Sequence, residues 1–271
     1  EGSIMNGTRY RRGVLTVVAG CLAMIAVASA NAAQMVSPQA LYTMSWQSSS
    51  RASDVAQIDG HMAIEIVDAC DGWTIKQRVA LIVTTFDGDE IGSYTSFTSW
   101  ESDDGERFRF EQQTRQGKKI IDELSGDARL DGDQGGVARL TKPEDMAIIL
   151  PPGTVFPNMH TELLIANAEA GATFFNRTVF DGTAVDNPNH VTAFIGNQTA
   201  GPQLPMDYEA PLVWPIRLAF FQLDTRNPEP DVEIGLLLEA NGVTRTIELD
   251  YGSFVIDGRL DELELLAPID C

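Results

Sequence analysis

Trp73-Thr74-Ile75-Lys76-Gln77-Arg78-Val79-Ala80-Leu81-Ile82-Val83-Thr84-Thr85-Phe86 is a long run of strand-forming residues, opened by Cys70-Asp71-Gly72 and closed by Asp87-Gly88. Ile75, Val79, Leu81 and Val83 are separated by even numbers of residues and fall on one face of a strand, because side chains alternate with a period of two. The same texture extends both ways. Before it lie Leu41 to Gln47 and His61 to Val67; after it come Ile91 to Trp100 and Arg107 to Thr114, joined by a hairpin turn at Asp103-Asp104-Gly105. Phe108 and Phe110 share a face of the latter. Ile120 to Leu124, Ala128 to Leu130 and Val137 to Leu140 read as short strands broken by glycines.

One stretch interrupts the series. Pro151-Pro152-Gly153-Thr154 is a turn, and Pro157 to Ala170 then reads as the only substantial helix, with Pro157 at its start and Gly171 as its stop. Met159, Leu163 and Ala166 fall on one face of it. Strand patterns resume at Ala172 to Phe180 and Val191 to Ile195, and Leu212 to Leu223 reads as a strand pair or one long strand bent around Pro215. Pro205 to Pro211 reads as a loop. Val232 to Glu239 and Gly242 to Asp250 form a hairpin joined at Asn241-Gly242, and Ser253 to Ile256 and Arg259 to Leu266 finish the series. The expected fold is mainly β: one domain, a curled antiparallel sheet of about 14 strands with one helix, since a flat sheet of that many strands is unusual.

The N-terminus has a different texture. Arg9, Arg11 and Arg12 precede an apolar run from Gly13 to Ala28 and the small-x-small site Ala30-Asn31-Ala32, the order of a secretory signal peptide over residues 1–32. The run holds about 16 residues where a membrane span needs about 20. No later segment approaches a span, which leaves a domain over residues 33–271 with no integral membrane segment after cleavage. Val18-Ala19-Gly20-Cys21 has the form of a lipoprotein box, but it comes early in an apolar run that continues past it, so ordinary cleavage downstream is the better reading. The expected compartment is the periplasm.

Export changes the meaning of the two remaining cysteines, Cys70 and the last residue, Cys271. In a chain this long, two cysteines can simply be buried and unpaired. In an oxidising compartment a Cys70–Cys271 disulfide is the better reading. No CxxC is present, and Asp270 and the terminal carboxylate beside Cys271 blunt it as a nucleophile, which favours a structural thiol.

The chain carries 19 basic and 39 acidic side chains, a net charge of −20, which becomes −22 once residues 1–32 with their three arginines and one glutamate are removed. The acids are scattered. This balance argues against nucleic acid, whose binding footprint is a basic stripe. Catalytic signatures are missing as well. His61, His160 and His190 are isolated, there is no HExxH and no GxSxG, and Asp127, Asp131 and Asp133 around Gly132 lack the order of a calcium loop. His190 and Asp186 could be combined with a serine on paper, an arrangement any chain permits. No metal and no cofactor is expected. Aromatic residues offer more: Phe174-Phe175 and Phe220-Phe221 are adjacent pairs, so one member of each points away from the face the other buries. Trp100, Phe175 and Phe221 are the candidates for an apolar groove, with ordinary core packing as the competing reading.

The run Asp68-Ala69-Cys70-Asp71-Gly72-Trp73, with Gln77-Arg78 following, resembles the signature of the cell envelope integrity EipB family of alphaproteobacterial periplasmic proteins. Tyr42 to Ser45, Ser93 to Glu101 and Leu150-Pro151-Pro152-Gly153-Thr154 extend the resemblance over nearly all of residues 33–271. It implies a many-stranded β-spiral loosely similar to the lipoprotein carriers LolA and LolB, a Cys70–Cys271 disulfide beside the structural residues Asp71, Gly72 and Trp73, and no enzymatic activity. It also implies a role in envelope integrity and a periplasmic tetratricopeptide-repeat protein as partner. The leading functional reading is a non-enzymatic factor that binds a protein partner; the alternative is a carrier of a lipid or lipoprotein acyl chain. A solvent-open apolar cavity of several hundred cubic ångströms favours the carrier; an interior filled by side chains excludes it.

Overall fold

Sixteen strands and one α-helix make up the computed structural model, which describes residues 35–51, 53–185, 188–204, 206, 208, 212–223, 227–267, 269 and 271. The signal-peptide and Cys21 readings, Asp186, and most of the loop at 205–211 lie outside the described residues.

The first eight strands are β1 (Pro38–Ser49), β2 (Val55–Asp68), β3 (Gly72–Thr85), β4 (Glu90–Ser102), β5 (Arg107–Gln116), β6 (Lys119–Leu130), β7 (Gly136–Lys142) and β8 (Met146–Leu150). Next come the two-residue β9 (Thr154–Val155), the helix α1 (Pro157–Glu169), β10 (Phe174–Val179), β11 (Asn189–Ile195) and the two-residue β12 (Thr199–Ala200). β13 (Leu212–Gln222), β14 (Val232–Glu239), β15 (Thr244–Asp250) and β16 (Phe254–Leu265) complete the chain.

All sixteen strands belong to one sheet, in the order β8-β7-β6-β5-β4-β3-β2-β1-β16-β15-β14-β13-β11-β10-β9, with β12 paired to β13. Every pairing is antiparallel except that of β9 with β10. The first and last strands are therefore neighbours in mid-sheet, with Pro38 opposite Leu265. The two edges, β8 and β9, are consecutive in sequence. Only Pro151, Pro152 and Gly153 separate Leu150 from Thr154, so the edges lie within about 15 Å of each other. A sheet whose ends are joined this closely has to curl almost into a barrel.

The curl buries three apolar clusters. Phe108, Phe110, Leu124, Leu140 and Leu150 pack with Phe156 and Phe180 in the first half. α1 packs Leu164, Ile165 and Ala168 against Phe175, Val191, Trp214 and Ile216 in the second. Tyr42, Met44, Met62, Ile256 and Leu260 fill the strands around β1. Each large apolar side chain fully removed from water contributes about 1.5–3 kcal/mol, which sets the scale of what holds the curl.

The structure departs from the sequence reading at identifiable places. Ser125-Gly126-Asp127 and Asp257-Gly258 look like turns, yet β6 and β16 run through them. A Cβ on Gly126 would lie 2.3 Å from the Arg139 carbonyl oxygen, so this glycine serves close strand approach and not a turn. The face of α1 also differs: Asn158, His160, Leu164, Ile165 and Ala168 are buried, while Ala166 is exposed.

Candidate binding site: the interior cavity and its supports

The curled sheet encloses a cavity of about 550 Å³. Gln77, Val79 and Leu81 reach it from β3, alternating with residues that face outward. Met44 and Met62 line it from β1 and β2, Phe97 from β4, and Phe220, Ile234, Leu249 and Ile256 from the far wall. Most of the lining surface is apolar. Its polar lining includes Gln112, Asp181, Thr183, Asn189, Asp231 and Tyr251, and exposed Thr183 and Tyr251 show where the cavity meets solvent. Gln112 donates to the Thr183 carbonyl oxygen at 3.2 Å, tying the β10–β11 connection to this rim. Gln77 donates to the Met62 sulfur at 3.0 Å, so this polar group within the wall is already engaged. Chemically, the space suits an aliphatic chain with a polar end at the mouth.

The structure does not gather Trp100, Phe175 and Phe221 into one groove. Phe175 is 6% exposed and sits in the core beneath α1, its ring 5.7 Å from that of His160. Phe221 is half-buried opposite His190, while its neighbour Phe220 lines the cavity. Trp100 lies on the other face of β4 from Phe97. Met44, Met62 and Phe97 were missed because Met and Phe on an alternating strand look like any core residue.

A tight structure surrounds Cys70. Asp68 Oδ1 accepts the Cys70 backbone N–H at 3.0 Å, and Cys70 takes a left-handed conformation with φ 68°. Cys70 is joined by a disulfide to Cys271, with Cα atoms 5.7 Å apart. A Cβ on Gly72 would lie 2.1 Å from the Glu101 carbonyl oxygen, so only glycine lets β3 start against β4 here. Asp71 Oδ1 accepts the Trp100 indole N–H at 3.3 Å. Trp73, partly buried, is paired across the ladder with Glu101.

Glu101 is the residue that sequence reasoning overlooked. α1 begins after Phe156, which gives no side-chain cap, so its first N–H groups need an outside acceptor. Glu101 supplies both oxygens, accepting Asn158 N–H at 2.7 Å and Met159 N–H at 2.9 Å. Burial pushes its carboxyl up to about 7, although those two hydrogen bonds act to lower it. Its position two residues beyond Ser99 and four beyond Phe97 placed it on the inner face, and that was the available signal.

Among the described residues, no three His, Cys, Asp or Glu side chains group as a metal site. His61 is exposed, His160 is buried in the α1 core and His190 is half-buried; Asp131 and Asp133 lie on the exposed turn at Gly132–Gln134. Among the described residues no helix is long and apolar enough to cross a membrane.

Fold and site together define a barrel-like β-spiral that encloses an apolar cavity and carries no assembled catalytic group among its described residues. The family model described as EipB-like matches residues 29–267, and the chain belongs to that family. The cell envelope integrity protein EipB of Brucella abortus (strain 2308) is 32% identical to it over 250 residues, covering 89% of this chain and 88% of that protein. A crystal structure of a beta-barrel-like protein of a domain of unknown function, also from Brucella abortus, superposes with a TM-score of 0.81 at 31% identity, covering 87% of this chain and 100% of that one.

Proposed function

We propose that this protein is a non-enzymatic periplasmic factor of cell envelope integrity that holds the acyl chain of a lipid or lipoprotein inside the spiral. The observation that carries the reading is the cavity of about 550 Å³ with its largely apolar wall and polar rim. Family membership supports the envelope role, through the name of its Brucella relative. Burying an alkyl chain gains about 0.8 kcal/mol per methylene, so a chain of ordinary length is held without any charged contact.

The test is displacement of a fluorescent fatty acid from the purified protein. Leu81→Trp, which fills the cavity from β3, is expected to weaken binding about tenfold or more in a variant that still folds, with a stability loss of at most about 1–3 kcal/mol. Failure of the wild type to bind any alkyl probe overturns the reading, as does undiminished binding by a folded Leu81→Trp variant.

A protein partner is the second reading, favoured by one observation. Phe174 and Phe194 are 50% and 53% exposed on β10 and β11, with ring centroids 5.6 Å apart, an apolar pair available to a partner surface. The tetratricopeptide-repeat protein implied by the family is the candidate. Loss of its co-purification in Phe174→Ser/Phe194→Ser, with alkyl binding intact, assigns the partner to this face.

A further inference from the structure

A second cleft, of about 740 Å³, lies on the outer face of β4, β5 and β6, across the sheet from Phe97, Phe108 and Phe110. Trp100 is its centre. The guanidinium carbons of Arg107 and Arg109 lie 5.4 Å and 5.1 Å from the indole ring, and Arg129 completes the basic wall from β6.

These arginines are held without neutralisation. Arg107 stands directly opposite Arg129 in the β5–β6 ladder, and both are exposed. Like charges facing each other across a ladder are destabilising. No carboxylate among the described residues comes within 4.0 Å of Arg107, Arg109 or Arg129, in a chain with 39 acidic and only 19 basic side chains. Asp104, close enough to Arg107 to be influenced by its charge, is bonded instead to Ser102 and to the Glu106 N–H. Arg109 faces Asp127 in register without forming an ion pair. Arg78, Arg115 and Arg139 also lack a carboxylate within 4.0 Å among the described residues. What sets this strip apart is convergence, with two arginines on one indole, two facing each other across the ladder and all three lining one cleft, an arrangement suited to an external anion.

The remaining lining narrows the ligand. Glu111 and Asp127 lie in the same cleft, so three arginines stand against two carboxylates. That balance suits a ligand with one or two anionic groups and disfavours a nucleic acid backbone. Carboxylates and ladder hydroxyls such as Thr98 accept and exchange hydrogen bonds with ring hydroxyls, and an aromatic side chain offers an apolar platform. The volume falls within the ~300–1,000 Å³ of small-molecule sites. The platform is also fixed in advance, because Asp71 holds the indole N–H and is itself anchored beside the Cys70–Cys271 disulfide.

We propose that the Trp100 cleft binds an anionic saccharide, with Arg107, Arg109 and Arg129 receiving its carboxylate or phosphate. This site is separate from the interior cavity and stands whether or not an acyl chain binds there. Titration calorimetry on the full chain tests it with three probes: digalacturonate, a phosphorylated glucosamine disaccharide and neutral cellobiose. At least one anionic disaccharide is expected to bind about tenfold or more tightly than cellobiose, and the preferred one identifies the anion. Arg129→Gln is expected to lower that affinity about tenfold while raising the melting temperature of the free protein, because the repulsion with Arg107 is relieved. Trp100→Leu removes the platform and weakens binding further. Equal affinity for all three probes overturns the proposal, as does unchanged anionic binding in Arg129→Gln.

Discussion

Gly72 shows how little freedom the Cys70 motif allows. Its φ of 156° and the 2.1 Å approach of a Cβ to the Glu101 carbonyl oxygen act together. Gly72→Ala is expected to destabilise the protein by about 2–4 kcal/mol, through backbone strain and loss of the β3–β4 contact. Urea unfolding with the disulfide intact measures this, and a change below about 0.5 kcal/mol would show that the strands part without cost. The motif was legible as a pattern but not as a device. Cysteine content and export point to a staple, whereas the service of Asp71 to Trp100, 29 residues away, becomes visible only when β3 and β4 are in register. Glu101 was harder still, one acid among 39 with no local mark of burial beyond strand parity.

The helix α1 carries an internal compensation. Glu101, which caps it, has its carboxyl raised from 4.5 to about 7 by burial, with Glu162 adding to the rise and the Met159 and Asn158 N–H groups opposing it. The folded state thus keeps a proton that the unfolded chain releases above 4.5, and this group makes stability fall as pH rises toward 7. His160 is lowered from 6.5 to about 4 by burial and by the Arg177 charge. The unfolded chain then takes a proton that the folded state refuses, so this group makes stability fall as pH drops below 6.5. Between 4.5 and 6.5 the two slopes oppose and largely cancel. Glu101→Gln is expected to unmask a loss of stability toward acid, and His160→Gln a loss toward neutral pH, each approaching about 1.4 kcal/mol per pH unit. Urea midpoints across that window check both, and parallel profiles for wild type and variants would contradict the compensation. The existence of α1 was readable from Pro157 and Gly171. Its buried side was not, because Leu163, Leu164, Ile165, Ala166 and Ala168 spread apolar character around the helix. β8 escaped notice for a related reason, Ala147, Ile148 and Ile149 giving no alternation, while β9 and β12 are too short for any period to show.

The order of strands around the spiral sets the meaning of the disulfide. Cys70 sits in the β2–β3 turn and Cys271 follows β16, and β1 lies between β2 and β16 in the sheet. The bond therefore clips across a strand already paired on both sides, and its main effect falls on the unfolded chain. With the two cysteines 201 positions apart in sequence, Cys70→Ser is expected to lower stability under oxidising conditions by up to about 5 kcal/mol. Equal stability of variant and wild type without reductant would remove the staple from the account. The curl itself was foreseeable from strand number, but its closing point was not, because β8 and β9 were the strands least visible in the sequence. That closing point differs from every other junction around the sheet. No ladder pairing joins β8 to β9; the Pro151–Gly153 turn and the rings of Phe108, Phe110, Phe156 and Phe180 span it, with Phe108 and Phe156 stacked at 5.1 Å. In mechanical terms the protein is a split ring sprung shut by an aromatic clasp. Opening it would cost ring packing and the hydrogen bonds that Glu101 and Gln112 make to the far side, but no ladder pairing.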